Sequence, residues 1–112
     1  MIRPGSLVIV HLINPTEKLW GILQELAVVG VMLRGINVTS FDVWMAQASR
    51  QGDQALGLST MFVPLFRVER IFLDEAVGEV ESYRQRFLRR VGVPVERYLG
   101  LEEGKDSEEV PS

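Results

Sequence analysis

His11 is the only histidine in the chain. It stands inside an apolar stretch, Leu7 to Ile13, with no second histidine and no cysteine to work with. A lone imidazole makes neither a metal site nor a nucleophile–base pair, so His11 reads as a satisfied core or interface residue. The carboxylate pairs Asp74 with Glu75 and Glu79 with Glu81 read as solvated or helix-starting charges. No glycine-rich phosphate loop, nucleotide fingerprint, Gly-x-Ser-x-Gly elbow or metal-ligand spacing is present. The expectation is a protein that is not an enzyme, with no catalytic residue, metal, cofactor or small-molecule substrate. Binding chemistry is left to two groups. Phe41 and Trp44 lie in a stretch, Thr39 to Met45, that sets large aromatics beside polar residues. They either lid one end of an apolar core or form an exposed platform on which a base or a partner side chain stacks. Arg84, Arg86, Arg89, Arg90 and Arg97 form the one basic concentration, faced by a single acid, Glu96. Arginine serves phosphate and protein interfaces alike, so these side chains fit either partner.

Elements must hold those groups in place, and the strongest is the stretch Lys18 to Val38. Leu19 to Leu26 and Gly30 to Val38 are rich in Leu, Ile, Val and Trp, and the short Ala27 to Gly30 junction makes them a hairpin. Gly21 and Gly35, at corresponding places, suggest the sharp bends of a small closed barrel. Before the hairpin comes a strand, Ser6 to Ile13, apolar on both faces, and an Asn14-Pro15 turn. After it, Thr39 to Gly57 reads as a long excursion with one helical turn opened by Ser40, with Asp42 within that turn. Leu58 to Leu73 then supplies two strands with a bend at Pro64, which cannot donate a ladder hydrogen bond.

Beyond Asp74 and Glu75 the pattern turns helical. Ser82 and Gln85 have capping-box spacing, and Tyr83, Phe87 and Val91 recur every four residues with Leu88 alongside, giving a face able to lie on the barrel. Gly92 ends this helix, Pro94 starts a short second one over Val95 to Leu99, and Gly100 closes it. The fold class is therefore mainly β: a five-stranded, bent, SH3-like or Sm-like barrel over residues 1–74, a C-terminal helical appendage over 75–101, and an acidic tail over 102–112.

Composition bounds the rest. The 112 residues make one domain-sized core, and the absence of cysteine excludes a disulfide-built scaffold and suits a reducing cytoplasm. MIRPGS lacks the apolar centre of a leader, and the run after it is far short of the roughly 20 residues of a membrane span. A cytoplasmic protein without membrane contact is expected. The net charge is −3, of which the tail contributes −4, leaving residues 1–101 near +1. The tail reads as a disordered, solubilising end, or as an acidic mimic that competes with nucleic acid for a basic patch.

The order of short strand, hairpin opening on Gly21-Ile22-Leu23, excursion, and a paired segment ending in apolar–basic alternation resembles the Sm-like family over roughly residues 6–73. That resemblance implies closed rings, joined by the exposed strand of one subunit to the next, and in many members binding of single-stranded RNA. The family's acidic and asparagine positions correspond here to Ala27 and Val31. Its arginine-glycine signature is replaced by Phe66-Arg67-Val68-Glu69-Arg70-Ile71, so the usual RNA pocket is missing. The expectation is a homo-oligomer, a ring being the family form, that acts as a protein-interaction or assembly module. The alternative is a ring that binds single-stranded RNA through the arginines or the Phe41/Trp44 stretch.

Overall fold

Burial alternates along the first strand and sets the plan of the sheet. In β1 (Leu7–Leu12) Val8, Val10 and Leu12 are buried while Leu7, Ile9 and His11 are only partly covered, the two-residue period of a strand with one face on a core. The computed structural model describes residues 1–51 and 58–99. Four further strands, β2 (Glu17–Ala27), β3 (Gly30–Asn37), β4 (Ser59–Pro64) and β5 (Val68–Leu73), complete one antiparallel sheet in the order β4-β3-β2-β1-β5. The hairpin, the strand before it and the pair after it therefore fall where the apolar patterns place them.

Gly21 and Gly35 face each other directly across the β2–β3 ladder. A Cβ on Gly21 would lie 2.3 Å from the Arg34 carbonyl oxygen and 2.6 Å from the Gly35 Cα. Only a residue without a side chain fits such a close backbone approach. The ladder slips by one residue between Leu23 and Glu25, and that between β1 and β5 slips between His11 and Leu12. Such slips bend a strand and sharpen its twist.

The core cluster is drawn from one face of the sheet. Val8, Val10 and Leu12 meet Leu19 and Leu23 of β2, Val31 and Leu33 of β3, and Val63 of β4; Ile71 and Leu73 of β5 pack against it with Ile2. Burying each such side chain is worth about 1.5–3 kcal/mol, which makes this cluster the main stabilising element of the sheet. Pro64 closes β4, and a 3-10 turn, Leu65–Arg67, carries the chain into β5. Arg67 ties that turn to the β1–β2 connection, donating from Nε to the Ile13 carbonyl at 2.9 Å and from Nη2 to the Pro15 carbonyl at 2.7 Å.

The excursion after β3 is corrected by the structure. A 3-10 turn, Val38–Ser40, capped by the Asn37 side chain, leads into α1 (Phe41–Gln51), about three turns of helix and not one. Phe41, Trp44, Met45 and Ala48 are all buried, a helical stripe spaced by threes and fours. The stripe is short and interleaved with Gln and Ser, so it is hard to see in the sequence. Residues 52–57, the rest of that excursion, lie outside the described residues.

The described residues divide into two units. One holds residues 1–44 and 58–74, the other residues 45–51 and 75–99. In the second unit α2 (Tyr83–Val91) begins on a complete capping box: the Ser82 hydroxyl accepts from the Gln85 N–H at 2.9 Å, and the Gln85 side chain accepts from the Ser82 N–H at 2.8 Å. Gly92 ends it in the left-handed region with φ 94°, its N–H donating to the Leu88 carbonyl. The short α3 (Glu96–Leu99) follows, and Phe87, Val95 and Leu99 are buried, with Tyr98 set edge-on to Phe87. Leu88 is half exposed, so Phe87 and not Leu88 carries the buried face. The expected close at Gly100 and the acidic tail lie outside the described residues. Among the described residues no helix is long and apolar enough to cross a membrane.

Candidate functional site

Phe41 and Trp44 are not a platform. Their relative exposures are 0% and 2%, and both pack on the fully buried Trp20, with ring centroids 5.1 and 5.8 Å away. Trp20 pairs with Ile9 in the β1–β2 register, so it stands on the face of the sheet opposite the Val8 and Val10 core. The first turn of α1 thus covers the Trp20 part of that face with a second apolar cluster. The Trp20 Nε1 donates to Asp74 Oδ2 at 3.0 Å. No base or partner ring can reach these faces without unfolding the cluster, and the exposed-platform reading is corrected accordingly.

The arginines of the second unit are mostly engaged with acids. Arg89 grips Glu81 with Nε and Nη2 at 3.1 and 2.5 Å, Arg86 lies 3.7 Å from the same carboxylate, and Arg84 pairs with Glu96. The Arg89 hydrogen bond holds the Glu81 carboxyl below its ordinary range. The sequence expectation of a single facing acid is therefore corrected: Glu81, before the cap of α2, serves two of these arginines across one helical turn and more. Arg90 and Arg97 are exposed. Arg90 borders an open hollow of about 260 Å³ that is also lined by Met45, Ser49, Arg50 and Val91.

Two surfaces of the first unit escape a reading of the sequence. One is an apolar end: Val28 is 88% exposed and Phe66 82%, and Leu26, Val29, Phe62 and Leu65 are exposed as well. Pairing brings them together, because Gly30 sits opposite both Ala27 and Pro64, and the Leu65 N–H donates to the Val29 carbonyl at 3.0 Å. The other is a row across three strands: His11 pairs with Lys18 on β2 and with Arg70 on β5. Beside it Phe72, 42% exposed, meets the His11 imidazole edge-on at 4.8 Å and lies 5.9 Å from the Arg70 guanidinium carbon. Partial burial, then the charge of Lys18, lower the His11 pKa from 6.5, Glu69 opposing and Arg70 adding to the effect. Apolar turn residues and register partners were the available signals, but register cannot be read without knowing the bulges.

Among the described residues no cluster of three metal-ligating side chains exists. No family model matches the chain, and no curated protein or solved structure matches it.

Proposed function

We propose that this chain is a non-enzymatic, Sm-like small barrel that joins copies of itself and acts as an assembly or protein-interaction module. The observation that carries the reading is the apolar end formed by Leu26, Val28, Val29, Phe62, Leu65 and Phe66. Side chains of this size left wet at one end of a sheet mark a surface that meets another protein. The patch borders β4, which has a ladder partner on one side only among the described residues. An unpaired strand flanked by apolar side chains is a template for pairing with another chain.

Several features support the barrel. β5 returns beside β1, the core is drawn from a single face of one sheet, and a 3-10 turn separates β4 from β5. A lone sheet whose inner face packs on itself must curl, and the two ladder slips supply the bending. The engagement of Arg84, Arg86 and Arg89 with Glu81 and Glu96 favours a protein-interaction role over RNA binding at the arginines. A cysteine-free chain suits work in a reducing cytoplasm.

The test is subunit number by light scattering. The unaltered protein is expected to be an oligomer, and Val28→Asp with Phe66→Asp is expected to give a folded monomer. A monomer before any substitution would overturn the proposal.

A further inference from the structure

We propose that the hollow bordered by Arg50 and Arg90 is a docking site for the chain's own acidic tail, residues 102–112. The hollow has a volume of about 260 Å³ and is lined by Met45, Ala46, Ser49 and Arg50 of α1 with Arg90 and Val91 of α2, every one of them in the second unit. Arg50 and Arg90 are exposed, and neither guanidinium makes an ion pair or hydrogen bond with a described residue, unlike Arg84, Arg86 and Arg89. Arg90 only adds to the field that lowers the Glu81 pKa, behind Arg89 and Arg86. Two unpaired cations beside Met45, Ala46 and Val91 suit carboxylates carried next to an apolar side chain.

Charge, composition and reach point to the tail. It sets Glu102, Glu103, Asp106, Glu108 and Glu109 against the single base Lys105 and so carries −4, while residues 1–101 stand near +1. Its Glu108-Glu109-Val110 run joins two carboxylates to a branched apolar side chain, the complement of two guanidiniums beside Met45 and Val91. The chain also leaves α3 close by. The Tyr98 ring lies 5.5 Å from the Phe87 ring, and Phe87 stands one helical turn, about 5.4 Å, before Val91. The stretch from Leu99 to Glu109 spans up to about 33 Å when extended, well beyond that distance. Tethering gives the tail an effective concentration on the order of millimolar, so exposed pairs that are weak one by one suffice. A free small anion lacks this advantage, because Arg50 and Arg90 sit in the last turns of α1 and α2, at the negative ends of the helix dipoles. The tail is therefore an internal competitor that holds the hollow against other polyanions.

This inference is independent of assembly through the apolar end, and the two can fail separately. The chain has no cysteine, so Ser107→Cys gives the full-length protein a single site for a nitroxide label and keeps every acid of the tail. The label is expected to broaden the amide resonances of Ser49, Arg50, Arg90 and Val91. That broadening should vanish in the Arg50→Gln, Arg90→Gln protein, whose fold circular dichroism checks. It should vanish equally when the tail carries Glu102→Gln, Glu103→Gln, Asp106→Asn, Glu108→Gln and Glu109→Gln, and it should weaken as salt rises. A fluorescein-labelled oligoglutamate should bind the chain with the amide tail at least about tenfold more tightly than the unaltered chain, as loss of a tethered competitor requires. No broadening, broadening that survives either set of substitutions, or equal affinity for the oligoglutamate would each overturn the proposal. So would broadening seen only between labelled and unlabelled copies in a mixed sample, which would place a second copy's tail in the hollow. An oligouridylate that occupies Arg50 and Arg90 with the tail acids intact would overturn it as well and make the hollow a nucleic-acid surface.

Discussion

His11 shows how a residue with no catalytic partner still reports on its surroundings. Burial and the adjacent Lys18 lower its pKa below 6.5, so the folded state holds its proton less tightly than the unfolded chain. The unfolded state then binds more protons as pH falls, and stability present above pH 6.5 is lost as the pH drops through the folded-state value. Urea denaturation at a series of pH values from about 7.5 to 5 should show stability decreasing with acidity, and His11→Gln should flatten that part of the profile. An unchanged slope would remove His11 as its source. Gly21 makes the opposite kind of contribution, through what it lacks. An Ala methyl there would meet the backbone of Arg34 and Gly35, atoms that cannot step aside without breaking the ladder. Gly21→Ala should cost about 3 kcal/mol, at the upper end of ordinary overpacking, read as a fall in the urea midpoint. A loss under about 1 kcal/mol would mean that the β2–β3 ladder opens easily.

At the scale of elements, α1 carries the clearest reassignment. Its first turn buries Phe41 and Trp44 on Trp20, so these rings stabilise the face of the sheet opposite the main core. Trp44→Ala should therefore destabilise the protein by about 3–5 kcal/mol, the range for removing a buried large aromatic. A ring that served only to grip a partner would leave thermal unfolding unchanged on truncation, and calorimetry separates the two outcomes. α2 is built differently: its start is specified by the Ser82 and Gln85 exchange and its end by Gly92, both local devices. Its charged face is likewise made by neighbours in the chain, with Arg86 and Arg89 reaching back to Glu81.

For the whole molecule the deciding quantity is the force behind the self-association proposed for the apolar end. The apolar end carries no charged member among Leu26, Val28, Val29, Phe62, Leu65 and Phe66, so association through it should tighten in sulfate. Ionic association would loosen as salt screens the charges. Sedimentation of the unaltered protein across a sulfate series distinguishes these, and dissociation with rising salt would contradict assembly through the apolar end.

The amino-acid sequence by itself determined the strands, the central hairpin, the bend at Pro64 and both ends of α2. Each of those is written in a short window: a two-residue apolar period, a turn, a capping box, a glycine past a helix end. The helix α1 was only partly legible, because its buried stripe of Phe41, Trp44, Met45 and Ala48 competes with polar neighbours in the same window. Tertiary structure alone decided the surfaces. Lys18 and Arg70 flank His11 only because of the register of β2 and β5 on β1, and Val29 meets Leu65 only because β4 pairs with β3. Pairing register depends on bulges and on the fit of distant apolar faces, interactions between residues far apart in the chain, which no local pattern encodes.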